Sequence, residues 1–366
     1  MHRGNHPPCK PLVFSAAAPS RSFIVDNLPL GTPECNRQGI DRVITFVTDR
    51  GYLVQSLIAA SQLAAQPDVV AIADIIIYLI DIPDDEQAAI RTALGASRFN
   101  FRFLDSRSFI PDSADRLPSL HVPRSTLGRL VLDAHIPAQY DTILYMDGDI
   151  QITGSIAPLV AHDCPPGKVL AGCDRLNNGG KYANPSSYLS RLGIMHPTNY
   201  VNAGIMLASR AAWREYTGEA LRFLTNHPEC CKHHDQSALN AAIGEHRIRF
   251  GPEYNYTTWF QAADGQHLVR PRIVHFTGPA KPWNSLKGPW GTRYRKVYAD
   301  FLAAHPYFTR YLTLTDSRDI DPKYADPSPA MRARRALKSV KAAIDSRWHS
   351  VLLRRFLHRA PFKRLD

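Results

Sequence analysis

Between Arg42 and Met146 the chain alternates between two periodicities, and that alternation restricts the folds open to it more than any other feature. Arg42-Val43-Ile44-Thr45-Phe46-Val47 is an apolar run that ends at Thr48-Asp49. Leu53, Leu57, Ala60, Ser61 and Ala64 then recur at three- and four-residue spacing, which predicts a helix. Val69–Ile80 reads as a buried strand and Asp84-Asp85-Glu86 as a helix start. Phe99–Leu104 reads as a strand, the stretch around Ser125–Ala134 as a helix, and Thr142–Met146 as a strand. Strand and helix in strict alternation predict an α/β fold with a doubly wound, mostly parallel sheet.

The second half is less regular. Val169–Gly172 and Tyr200–Leu207 read as strands, 211–224 and 235–243 as helices, and Arg272–Phe276 as a late strand, with a Gly/Asn-rich loop at Asn177–Pro185. Thr313–Pro329, rich in Asp and Pro, reads as a linker. Beyond it Leu337, Val340, Ile344, Trp348, Val351, Leu352 and Phe356 mark one stripe of a helix set among Arg and Lys, which is a basic amphipathic pattern. The expected organisation is a loose leader over 1–40, one domain over 41–312, a linker over 313–330 and a basic helical tail over 331–366.

Charge supports that division. The 366 residues carry a formal charge of +11. Residues 331–366 hold 11 Lys/Arg against 2 Asp/Glu, a net of +9, which leaves +2 for everything before them. A nearly neutral body argues against nucleic acid as its partner, whereas the tail fits an anionic membrane surface best, the alternatives being packing against the body or a partner, or contact with nucleic acid. Six cysteines in a chain of this length make no disulfide framework. Cys230-Cys231 followed by His233-His234 lacks the spacing of a zinc site. No apolar run reaches the ~18 residues of a membrane span. Pro7, Pro8, Pro11 and Pro19 flank or interrupt Leu12–Phe14, against a secretory leader, so the cytoplasm is the expected compartment, with peripheral contact on the membrane face.

In open α/β sheets, ligands bind beyond the carboxyl ends of the strands. Asp147-Gly148-Asp149 follows such an end, and two carboxylates one residue apart, with a glycine allowing a sharp bend, can share one hard cation. Alone the pattern is better explained by a solvated turn. Tyr200-Val201-Asn202-Ala203-Gly204 sets an amide and a glycine inside an apolar run, either as a bulge at Gly204 or as an amide offered to a polar ligand. Asp235 in His234-Asp235-Gln236-Ser237-Ala238-Leu239-Asn240 reads locally as a helix cap. His275 stands at a strand end, followed by Gly278-Pro279 and Lys281. An imidazole beside two carboxylates suits Mn²⁺ better than Mg²⁺, and a lysine suits a diphosphate.

Taken in order, L-Y-M-D-G-D (144–149), Y-V-N-A-G (200–204), D-Q-S-A-L-N (235–240) and H-F-T-G-P-A-K-P-W (275–283) resemble glycosyltransferase family 8, which includes glycogenin and bacterial lipopolysaccharide galactosyl- and glucosyltransferases. The resemblance runs from about residue 42 to about 300 and implies a GT-A fold. It implies that Asp147, Asp149 and His275 hold Mn²⁺ or Mg²⁺ against the diphosphate of a UDP-sugar, with Gly278 and Lys281 contacting that diphosphate. Asp49 would lie near uracil and ribose, with Val47 offering backbone contacts. Arg129 would face the donor phosphate or sugar. Asp174 and Asn202, with Ala203 beside it, would meet the transferred sugar, and Asp235 and Gln236 would be the catalytic pair beside the anomeric carbon. The first-strand motif departs from the family pattern, since Asp49 is followed by Arg50-Gly51-Tyr52 without the usual acidic or Asn residue before the tyrosine. A ribose contact is therefore expected to be missing.

The resemblance further implies retention of anomeric configuration through an oxocarbenium-like transition state. The acceptor would be a glycan or glycolipid hydroxyl, in lipopolysaccharide or another surface glycan, with acceptor contacts in Asn177–Pro185 or Tyr254–Gln261. The alternatives are a self-glucosylating, glycogenin-like protein and a membrane-associated binder on a degenerate scaffold. A nucleotidyltransferase would want a glycine-rich phosphate loop after the first strand, which Asp49-Arg50-Gly51-Tyr52 is not.

Overall fold

The central strands of the first half are apolar at successive positions because both of their faces are covered. Along β1 (Arg42–Thr48), Ile44 and Phe46 point into one hydrophobic core while Val43 and Val47 point into another. Ile75, Ile77 and Leu79 of β2 (Asp74–Ile80) join the first core, and Ile76, Tyr78 and Ile80 join the second. β3 (Asn100–Leu104) and β4 (Thr142–Met146) continue the sheet on either side. The computed structural model describes residues 39–95, 99–109, 124–174, 185–195, 199–262, 268–286, 289–315, 351, 353–355, 357 and 362–365.

The remaining strands are β5 (Ile150–Ile152), β6 (Val169–Cys173), β7 (Val201–Ser209), β8 (Arg247–Arg249), β9 (Tyr256–Thr257) and β10 (Ile273–His275). Seven strands form the main sheet in the order β3-β2-β1-β4-β7-β6-β8, with β7 antiparallel to both neighbours and all other pairs parallel. The doubly wound, mostly parallel α/β sheet is therefore as the sequence predicts. β5, β10 and β9 make a separate small sheet. Helix Leu53–Ala64 and the small sheet share the first core, while helices Arg210–Asn226 and His234–Ile243 share the second.

Two details of this architecture position the site. The strand order reverses direction between β1 and β4, and the crevice at such a switch point is where ligands of open α/β sheets bind. Asp49 and Asp147 follow those two strands. In addition, Ala171 of β6 pairs with Met206 of β7 but Gly172 pairs with Asn202, so residues 203–205 bulge out of the ladder. The bulge expected at Gly204 is there.

Two expectations shift. The run Val69–Ile80 is not all strand: Pro67–Val70 form a helical turn with Pro at its start, and β2 begins only at Asp74. Asp74 is tolerated inside the fold because the Tyr140 hydroxyl donates to its Oδ2 at 2.8 Å. Most of the leader, of the linker and of the amphipathic helix lie outside the described residues. Of the tail, Leu353 is fully buried and Leu365 nearly so, both in the first core, with Arg354, Arg355, Lys363 and Arg364 exposed. The Lys363 N–H donates to the Arg249 carbonyl at 2.7 Å, and Lys363 bridges Phe250 in parallel, just beyond the edge strand β8.

Candidate active site

The D-G-D segment is where the chain passes from the main sheet to the small one. The Asp147 N–H donates to the Gly204 carbonyl at 2.7 Å, prolonging the β4–β7 ladder, and the Phe276 N–H donates to the Asp149 carbonyl at 2.9 Å, prolonging β5–β10. These two ladders bring both carboxylates to His275, the last residue of β10. His275 Nε2 lies 3.1 Å from Asp149 Oδ1 and 3.7 Å from Asp147 Oδ2, and one ligand atom from each of the three residues lies within 4.8 Å of the others. Two oxygen donors and one imidazole, buried or half-buried at a sheet seam, fit a divalent cation.

The glycines around the trio are there for room. A Cβ on Gly204 would lie 2.3 Å from His275 Cε1 and 2.6 Å from Asp147 Oδ2. Gly148 was expected to permit a sharp bend, but its φ lies outside the left-handed region; a Cβ there would instead sit 2.5 Å from Ser56 Oγ on helix Leu53–Ala64. Gly278 does need its conformation, with φ +82° in the exposed turn that leads from His275 to Lys281.

Two cations flank the carboxylates. Lys281 Nζ is 2.6 Å from Asp149 Oδ2 and also donates to the Phe276 carbonyl. Arg129 NH2 is 3.0 Å from Asp147 Oδ1, its NH1 donates to the Ala203 carbonyl at 2.8 Å, and its Nε is 2.7 Å from Asp235 Oδ2 without the alignment of a hydrogen bond. Burial opposes ionisation of Asp149, yet the Lys281 ammonium and His275 imidazole hold its carboxyl well below the usual carboxylate range. Burial raises the carboxyl of Asp235, an effect that Arg129 counters and Asp147 reinforces. The Tyr145 hydroxyl donates to Asp147 Oδ1 at 2.9 Å.

A run of side-chain amides borders the cluster. Gln236 Nε2 donates to Asp174 Oδ2 at 2.8 Å, and its Oε1 accepts from Asn202 Nδ2 at 3.0 Å and from the Ala203 N–H at 3.2 Å. One turn along the same helix face, Asn240 accepts from the Val201 N–H and donates to the Val201 carbonyl at 2.7 and 2.8 Å, pinning the helix to β7 beside the bulge. The helix begins at His234, itself in the left-handed region with φ +49°, so Asp235 lies inside the first turn rather than at the cap.

Arg129, Asp147, Asp149, Asn202, Asp235, Gln236, His275 and Lys281 thus converge through direct contacts, with Asp174 joined through Gln236. Ala203 contributes its backbone, since its side chain is in the core. The Val47 side chain is likewise buried in the second core, and Asp49 Oδ1 accepts the Gly51 N–H at 2.8 Å just past β1. Among the described residues no metal-ligand grouping includes Cys230, Cys231, His233 or His234. The stretch Tyr254–Gln261 is mostly core: Tyr254, Tyr256 and Phe260 are core residues, β9 runs through it, Asn255 is buried against His275 and Asn202, and Thr258, Trp259 and Gln261 are half-buried. The other expected acceptor loop, Asn177–Pro185, lies almost wholly outside the described residues. Sequence reasoning missed Asn255, Tyr145 and Tyr52. Tyr52 is 38% exposed, stands edge-on to Trp283 at 6.2 Å between centroids, and has Lys281 Nζ 6.0 Å from its ring centre.

Comparison with known proteins agrees with this geometry. The family model for glycosyl transferase family 8 matches residues 43–287. General stress protein A of Bacillus subtilis is 27% identical over 169 residues, 42% of this chain and 56% of that protein. Lipopolysaccharide glucosyltransferase WaaO of Escherichia coli is 26% identical over 166 residues, 43% and 48% of the two chains. The chain therefore spans about half the length of these relatives. The galactosyltransferase LgtC, solved with donor and acceptor sugar analogues, superposes with a TM-score of 0.56 at 24% identity, over 70% of this chain and 95% of that one, which shows a shared fold. With the family model covering well over half of the sequence, and the acidic pair, histidine and lysine gathered at the switch point, the chain belongs to glycosyl transferase family 8.

Proposed function

We propose that the protein is a retaining, metal-dependent hexosyltransferase that moves glucose or galactose from a UDP-sugar to a hydroxyl of a glycan acceptor, in lipopolysaccharide or another surface glycan. The observation that carries this reading is the meeting of Asp147, Asp149 and His275 with Lys281 at the end of β4. The two carboxylates and the imidazole would hold Mn²⁺ or Mg²⁺, whose charge supplies electrophilic neutralisation at a diphosphate. Lys281 adds a fixed cation where negative charge grows on departing UDP. Tyr52 offers a half-exposed ring beside that lysine, a suitable face for the uracil base. Asp174 and the Asn202 and Gln236 amides supply donors and acceptors for sugar hydroxyls. The lipopolysaccharide glucosyltransferase among the relatives supports the acceptor class.

Same-face displacement accounts best for retention. Gln236 is an amide whose two ends are both occupied, and Asp235 is buried against Arg129. Neither is placed as a nucleophile in waiting; they serve as electrostatic and positioning groups. The bond from the anomeric carbon to the diphosphate oxygen breaks, the acceptor oxygen bonds on the same face, and its proton passes to the departing diphosphate.

The exposed Arg354 and Arg355 beside Val351, which is 43% exposed, extend the proposal to contact with an anionic membrane: Leu353 faces the body while Val351, on the apolar stripe, does not. The catalytic reading is tested by incubating the protein with UDP-glucose and UDP-galactose, with Mn²⁺ or with a chelator. NMR then reads the anomer of the first sugar product formed on water or on glycan acceptors. Metal-dependent release of UDP with an initial α-anomer is expected. An initial β-anomer, or equal turnover in the chelator, would contradict it.

A further inference from the structure

Among the buried polar groups that the proposed chemistry does not use, Asn255 is the most constrained. It is 1% exposed and lies between Tyr254 and Tyr256, both buried. Its Oδ1 is 2.9 Å from His275 Nδ1 and its Nδ2 donates to Asn202 Oδ1 at 3.1 Å. The room for it comes from Gly172, where a Cβ would fall 2.2 Å from Asn255 Nδ2. The β6–β7 ladder breaks at that glycine.

We propose that Asn255 is a positioning residue that fixes the tautomer of His275 and ties it to the amides around the donor sugar. The orientation of each amide follows from partners that only donate or only accept. The Asp174 carboxylate only accepts, so Gln236 turns its NH₂ toward it, and the Ala203 N–H holds Gln236 Oε1 from the other side at 3.2 Å. Asn202 must then give its NH₂ to Gln236, and the Gly204 N–H, which only donates, meets Asn202 Oδ1 at 3.2 Å. Asn255 is left to give its NH₂ to Asn202 and its oxygen to His275. His275 therefore carries a proton on Nδ1, which leaves Nε2, facing Asp147 and Asp149, as the nitrogen available to a cation shared with those carboxylates. All four bonds run in one direction, from His275 through Asn255, Asn202 and Gln236 to Asp174. A carboxylate on the sugar side thus helps set which nitrogen of His275 is free. Outer partners of this kind govern the orientation of a ligating histidine.

The inference rests on His275 as a metal ligand, and its test has a readout that needs no metal. Full-length protein labelled with ¹⁵N-histidine is examined by NMR without metal, and Mn²⁺ binding and transfer kinetics are measured separately, for wild type, Asn255→Leu and Asn255→Asp. Wild type should show a proton on Nδ1 of His275, hydrogen-bonded to Asn255. Asn255→Leu should favour Nε2–H with Nδ1 bare and weaken Mn²⁺ binding about 10- to 100-fold, with kcat recovering as Mn²⁺ is raised. Asn255→Asp keeps the acceptor for His275 but not the donor for Asn202. It should keep the tautomer and hold Mn²⁺ affinity within about threefold while KM for the donor rises. An Nε2–H tautomer in wild type, or native Mn²⁺ affinity in a folded Asn255→Leu, overturns the proposal. If Asn255→Leu does not fold, an unchanged donor KM in Asn255→Asp does so instead. Wild type that binds no Mn²⁺ would refute the metal assignment alone, leaving the tautomer to judge Asn255.

Discussion

Arg129 shows how a single residue holds opposing demands together. Its guanidinium is buried, and three of its nitrogens are spent on Asp147, Asp235 and the Ala203 carbonyl. Without it Asp235 would be a buried carboxylate with no ion-pair partner among the described residues, and Asp147 would lose the arginine charge beside it. Removing one partner of a buried ion pair leaves the other uncompensated, so Arg129→Met should destabilise the protein by about 3–5 kcal/mol in urea unfolding. A loss well below about 1 kcal/mol, the scale of an exposed pair, would show that the pair is solvated. None of this was visible in S-T-L-G-R-L. The sequence placed a basic residue before the metal motif, but which carboxylates it meets depends on β4, β7 and helix His234–Ile243 arriving at one point.

At the scale of elements, what was legible followed from local causes. Successive apolar positions marked β1, β2 and β4 because each is covered on both faces, and the glycine within β7 marked its bulge. What was not legible came from tertiary pairing: nothing local to Tyr200–Leu207 says that β7 inserts antiparallel between β4 and β6, and nothing in Tyr254–Gln261 says that it is core. Asn255 was hidden for that reason, since its partners are 20 and 53 residues away. The bulge also carries a prediction. Gly204→Ala drives a methyl into His275 and Asp147, so it should abolish Mn²⁺-dependent nucleotide binding, and overpacking should cost about 1–3 kcal/mol of stability. Calorimetric titration with Mn²⁺ and UDP would reveal it. Wild-type affinity would mean that the bulge does not shape the metal site.

For the whole molecule, the proposal of membrane contact turns on the basic tail. Sequence charge pointed to the tail, and the described part of that tail is anchored by Leu353 and Leu365 with its arginines outward. Deleting it would remove core residues, so charge is the cleaner variable. Arg354→Gln with Arg355→Gln should weaken binding to phosphatidylglycerol vesicles roughly 30-fold, two charges at about 1 kcal/mol each, and added salt should weaken wild type as well. Equal binding of the double variant and wild type would remove these arginines from the membrane contact.

The most direct test of the metal and nucleotide assignment is thermal stability with UDP, with and without Mn²⁺, in wild type and Asp149→Ala. Binding requires no acceptor, and a ligand present at about 100 times its Kd stabilises by about 2.7 kcal/mol. The predicted result is a rise in Tm that needs UDP and Mn²⁺ together in wild type and vanishes in Asp149→Ala. A rise that is the same without Mn²⁺, or that survives in Asp149→Ala, would contradict the account.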